Sequence, residues 1–227
     1  MDKDMLIQLW MANDFIASET RGQQIFDLLV WRCFLQDVEI DRRLLSRFQD
    51  GFTYQPTTCK MHDLMHDLAE SVSGNDCSIL EGSSSHQEIH ASSLQHEVRH
   101  LPFDYVSNNT IAAMKKILAP RARTTLYRGV SPWDTSKSVS MALSKFLSLR
   151  AFKTFSISTH MTNLKHLRYL DCSDSDNGES CISPPPLFPK LETMIVMPKL
   201  ERWHQEVVGQ VAVVSLPQLM MLIFVYA

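Results

Sequence analysis

Residues 164–172 read "LKHLRYLDC", and the spacing inside them decides how the second half of the chain is built. Leu164, Leu167, Leu170 and Cys172 fit the frame apolar-x-x-apolar-x-x-apolar-x-apolar. Moving outward, the frame returns at Phe146, Leu149, Phe152 and Thr154, with Thr a weak last member. It returns again at Phe188, Leu191, Met194 and Val196, and at Leu216, Leu219, Leu222 and Phe224. Val98-x-x-Leu101-x-Phe103 and Ala122-x-x-Thr125 hold the same phase less completely. Counted from Val98 through Ala122, Leu149, Leu167 and Leu191 to Leu219, the steps are 24, 27, 18, 24 and 28 residues.

Steps of roughly 20 to 29 residues are those of leucine-rich repeats. The x-apolar-x-apolar end of each unit predicts a short strand with alternate side chains in a shared core. One unit cannot bury its own face, so neighbours must stack to form that core. The predicted core is Leu149, Phe152, Leu167, Leu170, Leu191, Met194, Leu219 and Leu222. Interleaved side chains such as Tyr169, Asp171 and Ile195 are then expected to line a concave parallel sheet open to solvent. An ordinary α/β domain with coincidental leucine spacing is the competing reading.

Upstream the period changes. Leu6, Leu9, Trp10 and Ile16 lie close to one helical face, and Ile25, Leu28, Leu29 and Cys33 follow at helical spacing. Charges and turn residues dominate from Asp37 to Asp50. "GFTYQPTTCKM" then reads as a short extended pair, with Phe52 and Tyr54 alternating before Pro56 and Cys59 and Met61 after it. Met61, Leu64, Met65, Leu68 and Val72 make an apolar stripe flanked by His62, Asp63, His66 and Asp67, and Gly74-Asn75 ends the helix. Residues 81–96 are Ser- and His-rich without period, which reads as a linker.

Several chemistries are excluded on the residues. A net charge of −3 leaves no footprint for nucleic acid, and the helix from His62 to Val72 carries Asp63, Asp67 and Glu70 without a Lys or Arg. His62 and His66 stand at the i, i+4 spacing of zinc-binding helices, but Asp63 replaces the required Glu and no third ligand is in view. A polar helix face is the stronger reading, so no metal is expected. Neither Cys59 nor Cys77 sits in a nucleophile signature, and no enzyme is expected. Five cysteines without a C-x2-C pair, and no apolar leader, point to reduced thiols in the cytosol or nucleus. No Gly-rich phosphate loop occurs among the seven glycines.

With these residues in view, the chain resembles the plant nucleotide-binding, leucine-rich-repeat disease-resistance proteins, which are intracellular immune receptors. "LIQLWMANDFI" (residues 6–16) is similar to the family's winged-helix segment, "IFDLLVWRCFLQ" to its next helix, and "KMHDLMHDLAESV" to its Met-His-Asp motif. "LKHLRYLDCSDS" and "FPKLETMIVMPKLERW" resemble its repeats. The resemblance implies that Met61, His62 and Asp63 correspond to an ADP-sensing latch, His62 meeting the phosphate and Asp63 orienting it. The family's phosphate loop, acidic Mg-binding strand and Arg-bearing sensor have no counterpart here, so the latch is expected to be vestigial. No cofactor is expected in this chain, whereas full-length relatives bind ADP or ATP.

The expected architecture is therefore a mixed α/β chain. A helical winged-helix part spans residues 1–75, a linker 76–95, and an irregular, uncapped leucine-rich-repeat solenoid with short parallel strands 96–227. The implied role is plant defence by protein contact, with a pathogen effector or a full-length receptor as partner. Two other readings stand beside it. One is a relic without a selected partner. The other is an adaptor anchored by the uncharged stretch Val207–Ala227, which Pro217 and the repeat phase of Leu216 to Phe224 oppose.

Overall fold

The computed structural model describes residues 1–40, 57–74, 76–77, 98–102, 122–126, 146–154, 161, 163–172 and 188–196. They fall into two compact units, one spanning Met1–Gly74 and the other lying within Asn75–Val207.

The first unit begins with α1 (Lys3–Ala12), capped by the Asp2 carboxylate, which accepts from the Met5 amide at 2.8 Å. Leu6, Ile7, Leu9 and Trp10 bury the helix against α2 (Glu19–Trp31). Gly22 sets how closely the two approach. A Cβ there would meet Ile7 Cγ2 at 2.5 Å and Ile16 Cδ1 at 2.7 Å, so the sequence must leave that position bare. Lys3 spans the pair, its Nζ lying 4.7 Å from the Phe26 ring and 3.8 Å from Asp27.

Both helices end without glycine. After α1, Asp14 takes φ 60°, and the amides of Asp14 and Phe15 return to the carbonyls of Met11 and Trp10. After α2, Cys33 takes φ 59°, and Cys33 and Phe34 return to Val30 and Leu29. This doubled return is the Schellman stop. Its effect on the expected faces is plain. Phe26 and Leu29 are buried, whereas Leu28 and Cys33, read at the same helical spacing as Leu29, are exposed, because α2 packs around Gly22 and turns out at Cys33.

A strand, β1 (Leu35–Ile40), occupies the start of the stretch expected to be turn-like. It pairs antiparallel with β2 (Thr57–Met61), Leu35 opposite Met61. The register slips between Gln36 and Glu39, where Asp37 adopts φ 49° and is held by Lys60 at 3.1 Å, as a β-bulge allows. The partner of the Cys59 segment is therefore Leu35–Ile40. Phe52 and Tyr54, expected to pair with it, lie outside the described residues. On its other side β2 meets the chain start: Met1 and Cys59 exchange two backbone bonds of 2.9 Å, and Asp2 bridges Thr58.

From Met61 the chain enters α3 (Asp63–Ser73), which ends at Gly74 with φ 52°. Its buried residues are Ala69 and Ser73; Leu64, Leu68 and Val72 are 65%, 53% and 51% exposed. Three of the five residues of the expected apolar stripe therefore face outward, while Met61 is buried and Met65 half-buried. The helix buries its small side chains, with Met61 buried just before it.

The second unit contains four parallel strands in sequence order: β3 (Thr124–Leu126), β4 (Ala151–Lys153), β5 (Tyr169–Cys172) and β6 (Thr193–Val196). Thr125, Phe152, Leu170 and Met194 stand in one column across them. The rungs extend backward through isolated bridges from Thr124 to His100 and from His100 to Cys77. Pairing thus reaches Cys77, inside the stretch read as a linker. Before three of the strands the same turn recurs, the amides of Leu149, Leu167 and Leu191 donating to the carbonyls of Phe146, Leu164 and Phe188. The x-x between the first two apolar residues of the frame is this turn.

Phe146, Leu149, Phe152, Leu164, Leu167 and Leu170 are buried. The face opposite them is not open as expected: Tyr169 is 1% exposed and Asp171 4%. The Tyr169 hydroxyl donates to Asp171 Oδ2 at 3.3 Å and Lys153 Nζ lies 3.8 Å from the same oxygen, so the polar groups of this face satisfy one another out of water.

Candidate functional site

The three residues singled out on the first unit sit where β2 becomes α3. Met61 is the last residue of β2 and is buried, which pins the start of the junction. The His62 amide donates to the Phe34 carbonyl at 3.0 Å, and its own carbonyl accepts from the amides of Met65 and His66 at 2.9 Å. His62 is thus the N-cap of α3, in extended conformation.

The side-chain geometry fixes a proton. Nδ1 of His62 lies 2.6 Å from Oδ1 of Asp63 and 3.2 Å from the Leu64 amide nitrogen. A carboxylate only accepts, so the 2.6 Å contact requires the hydrogen on Nδ1. The Leu64 amide then goes to Asp63 Oδ1, 2.7 Å away. Asp63 orients the ring, and Nε2 is the nitrogen left for any incoming group. The pair is accessible, His62 at 35% and Asp63 at 87% side-chain exposure. One turn later the motif does not repeat: His66 Nδ1 and Asp67 Oδ1 are 3.9 Å apart, too far for a hydrogen bond. Among the described residues no three His, Cys, Asp or Glu side chains gather as metal ligands.

Of the residues expected in the repeat core, Leu149, Phe152, Leu167 and Leu170 are fully buried and Leu191 is half-buried. Met194 pairs with Leu170 through the backbone of β6. Leu219 and Leu222 lie outside the described residues, as does the uncharged stretch 207–227. Among the described residues no helix is long and apolar enough to cross a membrane.

Sequence reasoning passed over the residue that follows the second apolar position of each unit. Val98, Ala122, Leu149, Leu167 and Leu191 are followed by Arg99, Arg123, Arg150, Arg168 and Glu192. The recurrence was legible, but only the register makes it a feature of one place. Next in each rung stands a buried position, which in the Arg99 rung is His100. Burial, then the guanidiniums of Arg123 and Arg99, pushes the His100 ring down to about 3, so it is neutral in the fold. Its neighbour Cys77 is pushed up to about 12 by burial and then by Asp76, and stays a thiol.

Comparison with known proteins converges on one group. Residues 1–69 match the family described as the disease resistance protein winged helix domain. Over 102 residues the chain is 37% identical to disease resistance protein RGA2 from Solanum bulbocastanum, covering 42% of this chain and 9% of that protein. A second Solanum bulbocastanum protein named for disease resistance, RGA1, is 29% identical over 179 residues, 76% of this chain and 14% of its own length. A protein of Arabidopsis thaliana, also named for disease resistance, is 26% identical over 192 residues, or 77% and 12%. The chain thus spans between 9% and 14% of the length of these relatives. No solved structure matches it.

Proposed function

We infer, from a chain that belongs with the plant disease-resistance proteins and carries their winged helix domain at residues 1–69, that it serves defence by contact with other proteins. The contact surface in this reading is the second unit, taken as an irregular leucine-rich-repeat solenoid. The observation that carries it is the column Val98, Ala122, Leu149 and Leu167. All four are buried, each two residues before the positions that pair across neighbouring rungs. Teeth of that kind need one another, as stacked repeats do.

Met61, His62 and Asp63 are read as the ADP-sensing latch of the nucleotide-binding relatives. The Asp63-held ring supports this, since it leaves Nε2 as the nitrogen for a phosphate oxygen, to which it donates once protonated. One imidazole cannot hold a nucleotide without a cradle of backbone amides and a lysine. No phosphate loop occurs in the sequence given, so in this reading the latch answers to a nucleotide only where such a loop is supplied. No catalytic step is assigned to it. The partner is a pathogen protein or a full-length receptor, met in the cytosol or nucleus.

The test is co-expression of the tagged chain with a full-length disease-resistance protein in leaf tissue, followed by fractionation and co-immunoprecipitation. Association in the soluble fraction, with an altered defence output, is the expected result. A chain that neither associates nor changes that output would overturn the reading, and recovery in membranes alone would favour an anchored adaptor.

A further inference from the structure

Large apolar side chains stand in line on the open side of α3. Leu64, Leu68 and Val72 step by four residues along the helix, and each is more than half exposed. At about 100° per residue, Met65, Ala69 and Ser73 fall on one flank of that line, toward the buried side of the helix. Asp63, Asp67 and Glu70, all exposed, fall on the other flank. No Lys or Arg occurs within Asp63–Ser73. The result is an apolar stripe about 12 Å long with one acidic edge. Scattered apolar side chains on a surface need no partner, whereas a contiguous line of them marks a contact site.

We propose that the outer face of α3 docks a basic amphipathic helix of a partner protein. Leu64, Leu68 and Val72 pack against the apolar anchors that such a helix repeats every three or four residues. Asp63, Asp67 and Glu70 meet lysines or arginines along one edge of that helix. Asp63 is already engaged with the His62 ring at 2.6 Å, so Asp67 and Glu70 carry most of this edge. The contact lies on the first unit and does not rest on the repeat reading of the second.

Charge decides the occupant. A second copy docked stripe to stripe, with the helices antiparallel about a two-fold axis, sets the acidic edge of one helix against that of the other. Like charges there oppose the pairing. The same edge repels nucleic acid and an anionic lipid surface. A helix with basic flanks covers the stripe and neutralises its edge. The surface is also preset: His62 caps α3, and its carbonyl accepts from the amides of Met65 and His66, so docking orders little backbone on this side.

The experiment is fluorescence anisotropy of a labelled amphipathic helical peptide of leucine and lysine with the whole chain, repeated across salt. A peptide of the same pattern in leucine and glutamate is the comparison. Saturable, salt-sensitive binding of the lysine peptide is expected, weakened ~10-fold or more in Leu64→Ala/Leu68→Ala. Asp67→Asn/Glu70→Gln should weaken it ~3-fold or more and flatten the salt dependence. Leu28→Ala/Trp31→Ala on α2 and Glu19→Gln/Glu39→Gln, the same changes made elsewhere on the first unit, should bind within ~2-fold of the native chain. Alanine suits an exposed helix position, circular dichroism melts check each variant, and the Asp67/Glu70 pair carries the comparison if the leucine pair does not fold. No binding of the lysine peptide, equal binding of the glutamate peptide, full binding by Leu64→Ala/Leu68→Ala, or an equal loss in either control pair would each overturn the proposal. Sedimentation supplies the remaining outcome. A native chain that self-associates and becomes monomeric in Leu64→Ala/Leu68→Ala would give the stripe to a second copy and overturn the proposal as well.

Discussion

Arg168 places Nε and a terminal guanidinium nitrogen each 2.7 Å from the same oxygen, Oε1 of Glu192, one strand away. The two side chains are only 20% and 15% exposed, so water replaces little of what this pair supplies. Replacing Glu192 by Gln keeps the shape and leaves the Arg168 charge without its carboxylate. A loss of about 1–3 kcal/mol is expected, larger than for an exposed pair such as Lys60–Asp37. Urea unfolding of Glu192→Gln, Arg168→Gln and the double variant measures it. A double variant as stable as either single one marks the coupling, and strictly additive losses would deny it.

Gly22 is required by its neighbours rather than by its own backbone. An added methyl would sit 2.5 Å from Ile7 and 2.7 Å from Ile16, inside any real carbon contact. Gly22→Ala therefore sets a helix-propensity gain of about 1 kcal/mol against overpacking of about 1–3 kcal/mol. Overpacking should win, lowering the urea midpoint. A raised midpoint would mean that α1 and α2 separate without cost.

How far the fold was legible depended on which signal each element used. The frame around Leu164, Leu167 and Leu170 announced its strand because apolar residues alternate there in the sequence, Leu170 with Cys172, and the turn from Phe146 to Leu149 fell at the same offset. The boundary of α2 was hidden because its stop uses Cys33 at positive φ, where the rules look for glycine. The outward face of α3 was hidden for a different reason. Periodicity marks Leu64, Leu68 and Val72 as a stripe, but packing selected the smaller Ala69 and Ser73. At the latch, the chain order showed His beside Asp. Only coordinates could show that Nδ1, and not Nε2, faces the carboxylate. The burial of Tyr169 and Asp171 was out of reach altogether, since strand alternation alone assigns them to water.

The Cys33 stop gives its own test. A Cβ in the left-handed region is strained, and this side chain is exposed, so it has little packing to lose. Cys33→Gly should stabilise the chain by about 0.5–1 kcal/mol, the relief of strain exceeding the extra freedom of glycine in the unfolded chain. Asp14→Gly, at the same place after α1, should gain less, because Asp tolerates positive φ better than Cys. Thermal melts of the two variants rank them. Destabilisation by Cys33→Gly would show that the thiol makes a contact that matters.

His100 sets an acid limit on the second unit. The unfolded ring titrates near the ordinary 6.5 and the folded one near 3, the group facing Arg99, Arg123 and the protonated Cys77 thiol. Between those values the unfolded chain binds the extra proton, so stability is whole above about 6.5 and falls as pH drops toward 3. One such proton contributes a slope of roughly 1.4 kcal/mol per pH unit. His100→Leu removes the titration, and it also removes a buried Nδ1 that has no hydrogen-bond partner, so stability at pH 7 should be little changed. Urea midpoints from pH 7 to 4.5 should therefore diverge, the native chain losing stability faster than the variant. Parallel curves would mean that the ring is hydrated, and that the rung from Cys77 through His100 to Thr124 opens before it takes up a proton.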